Sequence, residues 1–369
     1  MTSAPLLLHV FSTFAAGGPQ IRFTMLANHF GRAYRHAVIA MDGNTECRAR
    51  LHSELNVTFP GNPLCKGQTL RNLCRICRLL RTLRPDLLLT YNWGAIEWAI
   101  ANRLFPVARH IHLEDGFGKE EANTQIRRRV LCRRWALSRC TRVVVPSRRL
   151  EALARHVWKL PAEIITYLPN GIDLTRFAAS ARDTIPGFNR RPGELVVGTV
   201  AGLRPEKNVG RLLRVFAALG GAVPARLIIA GDGVERSALE RLAGELGIAD
   251  SVIFTGHVPP ESVLGTFDIF ALSSDTEQMP LALLEAMAAS LAVAAVDVGD
   301  VKTIVSEENR DVIVPLDDHS AFATAIEVLL QDHARRETLG SKNRDRVVAE
   351  FSQERMLAAY SKIFSGGAR

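Results

Sequence analysis

Long apolar runs and a basic leader are both missing from this sequence of 369 residues. No apolar run approaches the roughly 20 residues that a membrane-spanning helix needs. The first ten residues contain no basic n-region and are interrupted by His9, so we interpret them as a buried strand and not as a signal peptide. These absences predict a cytoplasmic protein.

Cysteine is scarce, and all six cysteines lie between Cys47 and Cys140. Cys74 and Cys77 have the spacing of a metal-binding pair, but no second pair of cysteines or histidines follows at ligand spacing. Cysteines three apart share one helix face and behave there as small apolar residues, which favours packing over metal binding. A disulfide framework is equally disfavoured in a large cytoplasmic chain.

Two common ligand-binding motifs are also absent. The turn after the first predicted strand contains Gly17-Gly18 but not the full G-x-G-x-x-G fingerprint, which counts against a nicotinamide or flavin enzyme. No convincing Asp-x-Asp pair is present to hold a divalent cation against a diphosphate. The sequence therefore predicts that the protein needs neither a cofactor nor a metal.

Charge is divided sharply along the chain. Residues 1–175 hold 25 Lys and Arg against 12 Asp and Glu, a net charge of +13, whereas the remainder holds 21 against 26, a net charge of −5. Arginines interleaved with apolar residues at 71–84 and 127–139 predict basic amphipathic helices, which suit an anionic membrane surface or a lipid-linked acceptor. A solvated helix face explains them nearly as well. Nucleic acid is disfavoured, because no aromatic strand platform or helix-turn-helix signature accompanies the charge.

Short apolar runs rich in β-formers alternate with longer helical patterns, which predicts βα units and parallel sheets. The predicted strands are 6–10, 37–40, 86–91, 110–113, 142–145 and 164–168 in the first half, and 195–200, 226–230, 252–255, 269–272, 292–296 and 312–314 in the second. A stretch with little periodicity at 177–193 is interpreted as a linker. The predicted fold is α/β with two Rossmann-like domains whose parallel sheets face a central cleft.

The segment 273–288 places Glu277 and Glu285 eight positions apart, with Pro280 just inside the start of an apolar helix. Proline is tolerated there because its missing N–H would be unpaired in any case. The free N–H groups of the first turn can bind an anion, while the carboxylates can accept hydrogen bonds from hydroxyls. This mixture predicts a ligand with both phosphate and hydroxyl groups, such as a nucleotide sugar.

Cations and glycines at the ends of two predicted strands support the same class of ligand. Arg204 and Lys207 follow the strand 195–200, where fixed cations would stabilise a leaving diphosphate more in the transition state than in the ground state. Gly17-Gly18 permits a close approach of the backbone and can present N–H groups to a phosphate or a sugar hydroxyl. A tight turn that happens to need glycine is the structural alternative.

Taken in order, these motifs resemble those of the retaining glycosyltransferases of family 4, which have the GT-B fold. The resemblance extends over nearly the whole chain and is carried by Gly17-Gly18, Val145-Pro-Ser147, Asn170-Gly-Ile-Asp173, the R-x-x-K-N pattern from Arg204 to Asn208, Gly231-Asp-Gly233, and the E-x7-E pair Glu277 and Glu285. It implies an acceptor-binding domain at 1–176, completed by a C-terminal helix at 354–369, and a donor-binding domain at 177–353.

The resemblance also implies an activity, namely retaining transfer of a hexose from a UDP- or GDP-sugar, with UDP favoured, to a glycan or lipid-linked acceptor in polysaccharide biosynthesis. Such an enzyme would be cytoplasmic or peripheral at the inner membrane face. Glu285 would bind ribose hydroxyls and Glu277 the transferred sugar. The implied donor site comprises Gly17, Gly18, Gly202, Arg204, Lys207, Gly231, Val258, Met279, Pro280, Leu281 and Glu285, and the implied catalytic residues are Asp115, Arg204, Lys207 and Glu277.

The sequence departs from the family pattern in two places. Gln278-Met279 stands where the family commonly has Gly followed by Phe, and Asp115 stands where a His commonly precedes glycine. A carboxylate there can bind sugar hydroxyls or act as a base towards the acceptor, and an ordinary turn is the alternative. We assign His112 and Asp115 to the acceptor site. The alternative functions are another nucleotide-sugar enzyme, such as a hydrolysing epimerase, and a non-catalytic module that binds nucleotide sugars or nucleic acid.

Overall fold

The computed structural model describes residues 4–65, 67–117, 119–121, 124–177, 185, 188–220 and 223–366. The chain divides into two compact units. The first consists of Met1–Pro169 and Leu357–Arg369, and the second of Asn170–Met356. Most of the predicted linker at 177–193 lies outside the described residues.

The first unit is built on a parallel seven-stranded sheet with the order β3-β2-β1-β4-β5-β6-β7. Its strands are β1 (Leu6–Phe11), β2 (Arg35–Ala40), β3 (Val57–Thr58), β4 (Leu87–Tyr91), β5 (Arg109–Leu113), β6 (Arg142–Val145) and β7 (Ile165–Tyr167). Its helices are α1 (Gly18–Phe30), α2 (Thr69–Leu83), α3 (Ile96–Leu104), α4 (Arg127–Leu137) and α5 (Arg148–Ala152).

The second unit is built on a parallel six-stranded sheet with the order β10-β9-β8-β11-β12-β13. Its strands are β8 (Leu195–Val200), β9 (Ala225–Ala230), β10 (Val252–Gly256), β11 (Ile269–Leu272), β12 (Ala292–Val296) and β13 (Ile313–Val314). Its helices are α6 (Val209–Ala218), α7 (Arg236–Glu245), α8 (Leu281–Ala288), α9 (Val301–Ile304), α10 (His319–Gln331) and α11 (His333–Glu350).

The last helix, α12 (Gln353–Ser365), begins in the second unit and continues into the first. Its later turns pack on the first unit through aromatic rings. The Phe364 ring centroid lies 5.7 Å from that of Phe30 and 5.8 Å from that of Tyr34. Tyr360 is buried with its ring 6.0 Å from the guanidinium carbon of Arg22.

The prediction of two Rossmann-like units with parallel sheets is confirmed, and each predicted strand is present with its ends within two residues of the expected positions. Strands such as β4 and β12 are buried along their whole length, as expected for parallel strands covered on both faces. The prediction missed β3, which has two residues at the sheet edge and is too short to show periodicity. Of the Cys74–Cys77 pair, only Cys77 packs in the core, whereas Cys74 is exposed.

Each sheet contains one point where the strand order reverses. The reversal lies between β1 and β4 in the first unit and between β8 and β11 in the second. Open α/β sheets bind ligands outside the carboxyl ends of the strands at such a point. Each unit is therefore expected to bind a ligand at the loops that follow these strands.

Candidate functional site

In the second unit, the loop after β8 and the loop after β11 are joined by hydrogen bonds. Ser273 Oγ donates to the Lys207 carbonyl at 3.2 Å, and the Asp275 N–H donates to the Glu206 carbonyl at 2.9 Å. Asn208 Nδ2 donates to Asp275 Oδ1 at 2.9 Å. The R-x-x-K-N segment and the segment that precedes Glu277 therefore form one continuous surface.

Arg211 supports this surface from below. It is buried, and its guanidinium donates to the Ser273 carbonyl and to Asp275 Oδ1, each at 2.8 Å. Asn208, with a left-handed backbone (φ 41°), caps α6 by accepting a hydrogen bond from the Arg211 N–H at 3.1 Å. Asparagine adopts this conformation and this cap more readily than most residues. Arg211 was not predicted from the sequence, because a buried arginine has no local signature.

Lys207 and Glu277 meet on this surface. Lys207 Nζ lies 2.6 Å from Glu277 Oε1, and Ser274 Oγ donates to the same oxygen at 2.7 Å. The Lys207 side chain is 21% exposed and that of Glu277 is 11% exposed. An ammonium group has three N–H donors, so Lys207 can hold Glu277 and still reach a phosphate oxygen. The structure thus brings together two residues that were predicted from two different motifs.

Arg204 differs from Lys207 in its surroundings. Its side chain is 61% exposed, and its Nε lies 3.3 Å from Glu206 Oε1. Gly202, two residues earlier, is also exposed. An exposed guanidinium with one loose partner can turn to grip phosphate oxygens in a fork. Arg204 is therefore an adjustable cation beside the fixed Lys207.

The start of α8 lies at the end of the same loop. Pro280 is the N-cap residue and the helix begins at Leu281, so Pro280 precedes the first turn instead of lying inside it as predicted. The Pro280 carbonyl accepts the N–H groups of Leu283 and Leu284. Among the described residues, the N–H groups of Leu281 and Ala282 have no acceptor. Unpaired N–H groups at the start of a helix can bind an anion, and an anion site here stays a prediction.

Met279 contributes to this loop through its side chain in a way that was not predicted. The side chain is buried, and its Sδ accepts the Asn170 N–H at 3.1 Å. Only its backbone can therefore contact a donor. Val258, another predicted donor residue, is partly buried and packs against the core of this unit.

Gln278 does not need the left-handed conformation that glycine would favour, because its φ is negative. The position beside this loop that does require glycine is Gly299, after β12. Its φ is 58°, and a Cβ at that position would overlap the Glu277 carbonyl. The Asp300 N–H then donates to the Gln278 carbonyl at 3.1 Å. Gly299 was missed, because a single glycine after a strand resembles any turn.

Glu285 is half-buried on α8 between the buried residues Leu284 and Ala286. The pKa of its carboxyl group is raised to about 7, chiefly by burial. The positive charge of Arg176 acts to lower this pKa, and the negative charge of Glu261 acts to raise it. Among the described residues, no hydrogen bond to this carboxylate is found. A half-buried carboxylate without a donor is suited to accept hydrogen bonds from ligand hydroxyls.

Gly231 and Gly233 have a packing role. Their φ angles are 148° and 158°, and a Cβ at either position would overlap a carbonyl of the β8 loop, that of Ala201 or that of Leu203. The Leu203 N–H also donates to the Asp232 carbonyl at 2.9 Å. The glycines therefore allow the β9 loop to run against the β8 loop, which is enough to explain them without a ligand contact.

In the first unit, the glycines after β1 are not required by backbone conformation. Gly17 is extended (φ −163°) at the N-cap of α1, and Gly18 is the first helical residue. A Cβ at position 17 would meet only the end of the flexible Gln20 side chain, at 2.8 Å. The backbone of this unit packs closely against a side chain at Gly94, where a Cβ would overlap the Ser12 hydroxyl. Neither Gly17 nor Gly18 therefore has a left-handed backbone, and their role in presenting N–H groups to a ligand stays a prediction.

Asp115 is held by Arg22 from α1. The two guanidinium nitrogens Nη1 and Nη2 lie 2.5 and 2.9 Å from the two carboxylate oxygens, and the Asp115 N–H donates to Asn92 Oδ1 at 2.6 Å. The Asp115 side chain is only 12% exposed. Both carboxylate oxygens of Asp115 are therefore already engaged by one buried guanidinium. The geometry corrects the predicted role of Asp115 as a base towards the acceptor.

His112 is completely buried in β5. Its Nδ1 lies 2.8 Å from Thr90 Oγ1, and its Nε2 lies 3.3 Å from Glu114 Oε2. Both ring nitrogens are therefore engaged inside the unit. The assignment of the His112 side chain to the acceptor site is wrong for this conformation, because no surface of the ring is available to a ligand.

The basic helix α4 is less accessible than its sequence predicts. Arg133 is fully buried, donating to Glu114 Oε2 at 3.2 Å and to the two Glu121 oxygens at 3.0 Å each. Its guanidinium carbon lies between 5.0 and 5.2 Å from three ring centroids, those of Trp93, Phe117 and Trp158. Arg129 pairs with Glu120 and Glu121. These two arginines stabilise the unit and are unavailable to a surface partner.

The outer face of α4 retains a basic and partly apolar surface. Its exposed residues are Arg127, Arg128, Leu131, Arg134, Trp135 and Arg139. We call this set the α4 face. Arg103 lies 5.2 Å from the Trp135 ring centroid, and exposed Leu104 and Phe105 follow it at the end of α3.

Neither a membrane span nor a metal cluster is found in the part of the chain that the structure describes. No described helix combines the length and apolar character needed to cross a bilayer. Among the same residues, no three side chains of the metal-ligating types converge.

Two family models match this chain. The model described as "Glycosyltransferase Family 4" matches residues 16–176, and the model described as "Glycosyl transferases group 1" matches residues 181–346. The second match lies within the second unit and contains the loops after β8 and β11 together with α8. Together the two matches extend over most of the sequence.

Curated relatives match over part of their length. The D-inositol 3-phosphate glycosyltransferase of Nocardia farcinica is 33% identical over 188 residues, which are 48% of this chain and 42% of the relative. The GDP-mannose-dependent alpha-(1-6)-phosphatidylinositol monomannoside mannosyltransferase of Mycolicibacterium smegmatis is 29% identical over 223 residues, which are 56% of this chain and 57% of the relative. The chain therefore spans about half the length of the curated relatives it matches.

The fold is also similar to that of solved structures. The crystal structure of Anabaena HepE in complex with UDP and glucose superposes with a TM-score of 0.82 and covers 98% of this chain and 100% of that chain. The sequence identity is 16%, so this likeness concerns the fold alone.

Proposed function

Given that the chain belongs to the family-4-like glycosyltransferases of the GT-B fold, we propose that it transfers a hexose from a nucleotide sugar to a glycan or lipid-linked acceptor with retention of configuration. The observation that carries the proposal is the convergence, at the strand-order reversal of the second unit, of the Lys207–Glu277 pair, the start of α8 and Glu285. Each part matches one chemical group of such a donor.

The phosphate end of the donor would be met by cations and N–H groups. Lys207 and the N–H groups of Leu281 and Ala282 are fixed by the fold, whereas the exposed Arg204 can close on the diphosphate after it binds. These groups stabilise the negative charge that develops on the leaving nucleoside diphosphate. The same charge compensation makes a divalent metal unnecessary in the proposed reaction.

The sugar end of the donor would be met by carboxylates. Glu277 has a second oxygen, Oε2, beside the one held by Lys207 and Ser274, and this oxygen can accept a hydrogen bond from a hydroxyl of the transferred sugar. Glu285 would accept the ribose hydroxyls. In the proposed retaining reaction the acceptor attacks from the face that the leaving group departs, and the departing phosphate takes the acceptor proton, which agrees with the engagement of Asp115 by Arg22.

UDP-sugar is the proposed donor, because the HepE complex contains UDP and glucose. A GDP-sugar is the alternative, since the mannosyltransferase relative is named for GDP-mannose. A thermal-shift screen of UDP- and GDP-sugars tests this directly, because a donor at saturating concentration stabilises its protein by about 3–4 kcal/mol. Glu285→Gln is the matched control, and it should lose the shift while keeping the fold.

The acceptor is proposed to be lipid-linked, in polysaccharide biosynthesis at the inner membrane face. The α4 face supports this, since it combines four exposed arginines with Leu131 and Trp135. Product analysis separates the candidate reactions. A hydrolysing epimerase would release free sugar and nucleotide without any acceptor, whereas a non-catalytic module would bind the donor without turnover. Retention is tested by comparing the anomeric configuration of the donor and the product by NMR.

A further inference from the structure

The motif at 170–173 is joined to the loop before α8 by a hydrogen bond to sulfur. The Asn170 N–H donates to Met279 Sδ at 3.1 Å, although the two residues are 109 positions apart. Met279 belongs to residues 277–280, which we call the donor loop and which end where α8 begins. Its side chain is buried in the apolar core of the second unit, where a hydrogen bond is stronger than in water.

The backbone of the motif is fixed to the segment that joins α11 to α12. The Ile172 N–H donates to the Phe351 carbonyl at 3.0 Å, and the Ile172 carbonyl accepts the Gln353 N–H at 2.9 Å. A Cβ at position 171 would lie 2.5 Å from a carbonyl oxygen of the same segment, so only glycine fits there. The motif is therefore a fixed support for the residues that it contacts.

The donor loop is held by backbone contacts only at its beginning. A Cβ at Gly299 would overlap the Glu277 carbonyl, and the Asp300 N–H donates to the Gln278 carbonyl at 3.1 Å. Among the described residues, the N–H and the carbonyl of Met279 have no hydrogen-bond partner. Met279 is therefore held by its side chain, and its backbone N–H is left for a ligand.

We propose that Met279 is a positioning residue for the phosphate end of the donor. Its thioether is held by the Asn170 N–H and fixes the backbone between Glu277 and α8. The N–H groups of Met279 and of the first turn of α8 are thereby in place before the diphosphate binds. This inference rests on the proposed function, because it assigns the contact a role in the same donor site.

The physical reason is that a loop which is already ordered loses less conformational freedom when its ligand binds. Leucine has nearly the volume of methionine but no sulfur, so Met279→Leu removes the acceptor and keeps the packing. The variant should bind UDP and UDP-glucose about threefold to fivefold more weakly, a modest loss for one hydrogen bond because a thioether is a weak acceptor. Uridine lacks phosphate groups and should bind the variant as it binds the wild type.

Met356→Leu is the matched control, because it makes the same change one residue further along the motif. Met356 Sδ accepts the Gly171 N–H at 3.2 Å, and its side chain is buried like that of Met279. Met356 lies in α12, outside the donor loop. Its replacement should therefore lower the urea midpoint of unfolding about as much as Met279→Leu does, and leave the affinities for UDP and UDP-glucose unchanged.

Calorimetric titration measures the affinities for UDP and UDP-glucose, and ligand-observed NMR measures that for uridine. Hydrogen exchange of the Asn170 amide tests the contact itself and, in the wild type without ligand, needs no variant. That amide should exchange slowly in the wild type, faster in Met279→Leu, and slowly in Met356→Leu. A loss of affinity that requires phosphate groups and is confined to Met279→Leu, together with this pattern of exchange, supports the inference.

Two kinds of result overturn it. Rapid exchange of the Asn170 amide in the wild type, or the same slow exchange in Met279→Leu, would mean that the sulfur does not hold this N–H. Wild-type affinity in Met279→Leu, or an equal loss of affinity in Met356→Leu or for uridine, would mean that the contact only packs the second unit.

These outcomes differ from failure of the proposed function. If the wild type binds neither UDP-glucose nor any other UDP- or GDP-sugar, the donor site itself is wrong, and this inference falls with it. If the wild type binds a nucleotide sugar and Met279→Leu binds it equally well, only the role of Met279 is wrong.

Discussion

Lys207 Nζ lies 2.6 Å from Glu277 Oε1, although the two residues are 70 positions apart in the chain. The contact exists because β8 and β11 are neighbours in the sheet and their following loops are joined through Ser273 and Asp275. Glu277 thus fixes the ammonium group beside the loop that leads to α8, and Lys207 in turn fixes the Glu277 carboxylate. The cation proposed to bind the phosphate and the carboxylate proposed to bind the sugar therefore hold each other in the absence of a ligand.

We expect Lys207→Ala to reduce kcat/KM for transfer by roughly 10²–10³, the scale of losing a charge partner in the transition state. It should also lower the free energy of unfolding by about 1 kcal/mol, because Glu277 loses its charged partner and keeps only Ser274. Donor-dependent kinetics and urea unfolding measure the two effects. The double variant Lys207→Ala with Glu277→Gln is the control, and it should recover stability without recovering activity.

Arg204→Ala should lower the rate of transfer without changing the stability of the fold. The side chain is 61% exposed, so its loss should change the free energy of unfolding by less than about 0.5 kcal/mol. Transfer should nevertheless fall by roughly 10²-fold, since Arg204 is the adjustable cation of the proposed phosphate site. Near-normal transfer by both the Arg204 and the Lys207 variants would show that the diphosphate binds elsewhere.

Transfer is expected to persist in EDTA. The reason is chemical, since Arg204, Lys207 and the start of α8 supply the positive charge that a divalent cation would otherwise bring to the diphosphate. Initial rates of the metal-stripped protein in EDTA, and then with added magnesium or manganese, measure this. Complete loss of transfer in EDTA with rescue by either ion would contradict the charge assignment.

Most of the fold could be predicted because the strands of a parallel sheet are covered on both faces and therefore form short, almost continuous apolar runs. The residues of β12 illustrate this, since all five are apolar and buried. Lys207, Glu277 and Glu285 could be predicted for a different reason. They lie at fixed spacings within motifs that follow strands, and the carboxyl ends of parallel strands meet at one edge of a sheet.

The parts that could not be predicted depend on partners far away in the sequence. Arg22 and Asp115 are 93 residues apart, and nothing near either residue indicates the bidentate pair that engages both oxygens of Asp115. Gly299 is required only because the backbone of Glu277 passes against it. Arg133 lies in a run of arginines that predicts an exposed helix face. It is buried instead, because it pairs with Glu121 on another element.

The α4 face yields a prediction with a built-in control. If the exposed arginines meet an anionic membrane, binding to vesicles should rise with the fraction of anionic lipid and weaken with salt, because exposed charges are screened over about 8 Å at physiological ionic strength. Replacing Arg127, Arg128 and Arg134 by Gln should weaken vesicle binding and leave donor affinity unchanged. The fluorescence of exposed Trp135 should report contact with lipid.

The control variant is Arg133→Gln on the same helix. Because it removes the buried guanidinium that Glu114 and Glu121 share, leaving Glu121 only Arg129 as a charged partner, it should destabilise the first unit by about 3–5 kcal/mol instead of acting on vesicles. If the wild type ignores anionic vesicles at low salt, the α4 face is an ordinary solvated surface, and a soluble acceptor becomes the better proposal.

Three of the buried histidines of the first unit, His9, His36 and His110, predict how its stability depends on pH. Burial lowers the pKa of His36 to about 4 and, together with the nearby His112, that of His110 to about 3. Burial and the neighbouring His36 lower the pKa of His9 well below its usual value. The folded unit therefore keeps these rings neutral, whereas the unfolded chain protonates them below about pH 6.5. Their stabilising effect is present above that pH and is lost as the pH falls towards the folded pKa values.

We therefore expect the unfolding free energy of the first unit to fall between pH 7 and pH 5 by about 2 kcal/mol for each of His36 and His110, with His9 contributing in the same direction. His110→Gln should reduce this fall by about 2 kcal/mol, whatever the substitution costs in stability at pH 7. Urea unfolding followed by tryptophan fluorescence isolates the unit, because all four tryptophans of the chain lie in it. A variant with the same loss between pH 7 and pH 5 as the wild type would mean that His110 is already protonated in the folded unit, and that its contact with Thr90 Oγ1 at 2.8 Å is made by an imidazolium.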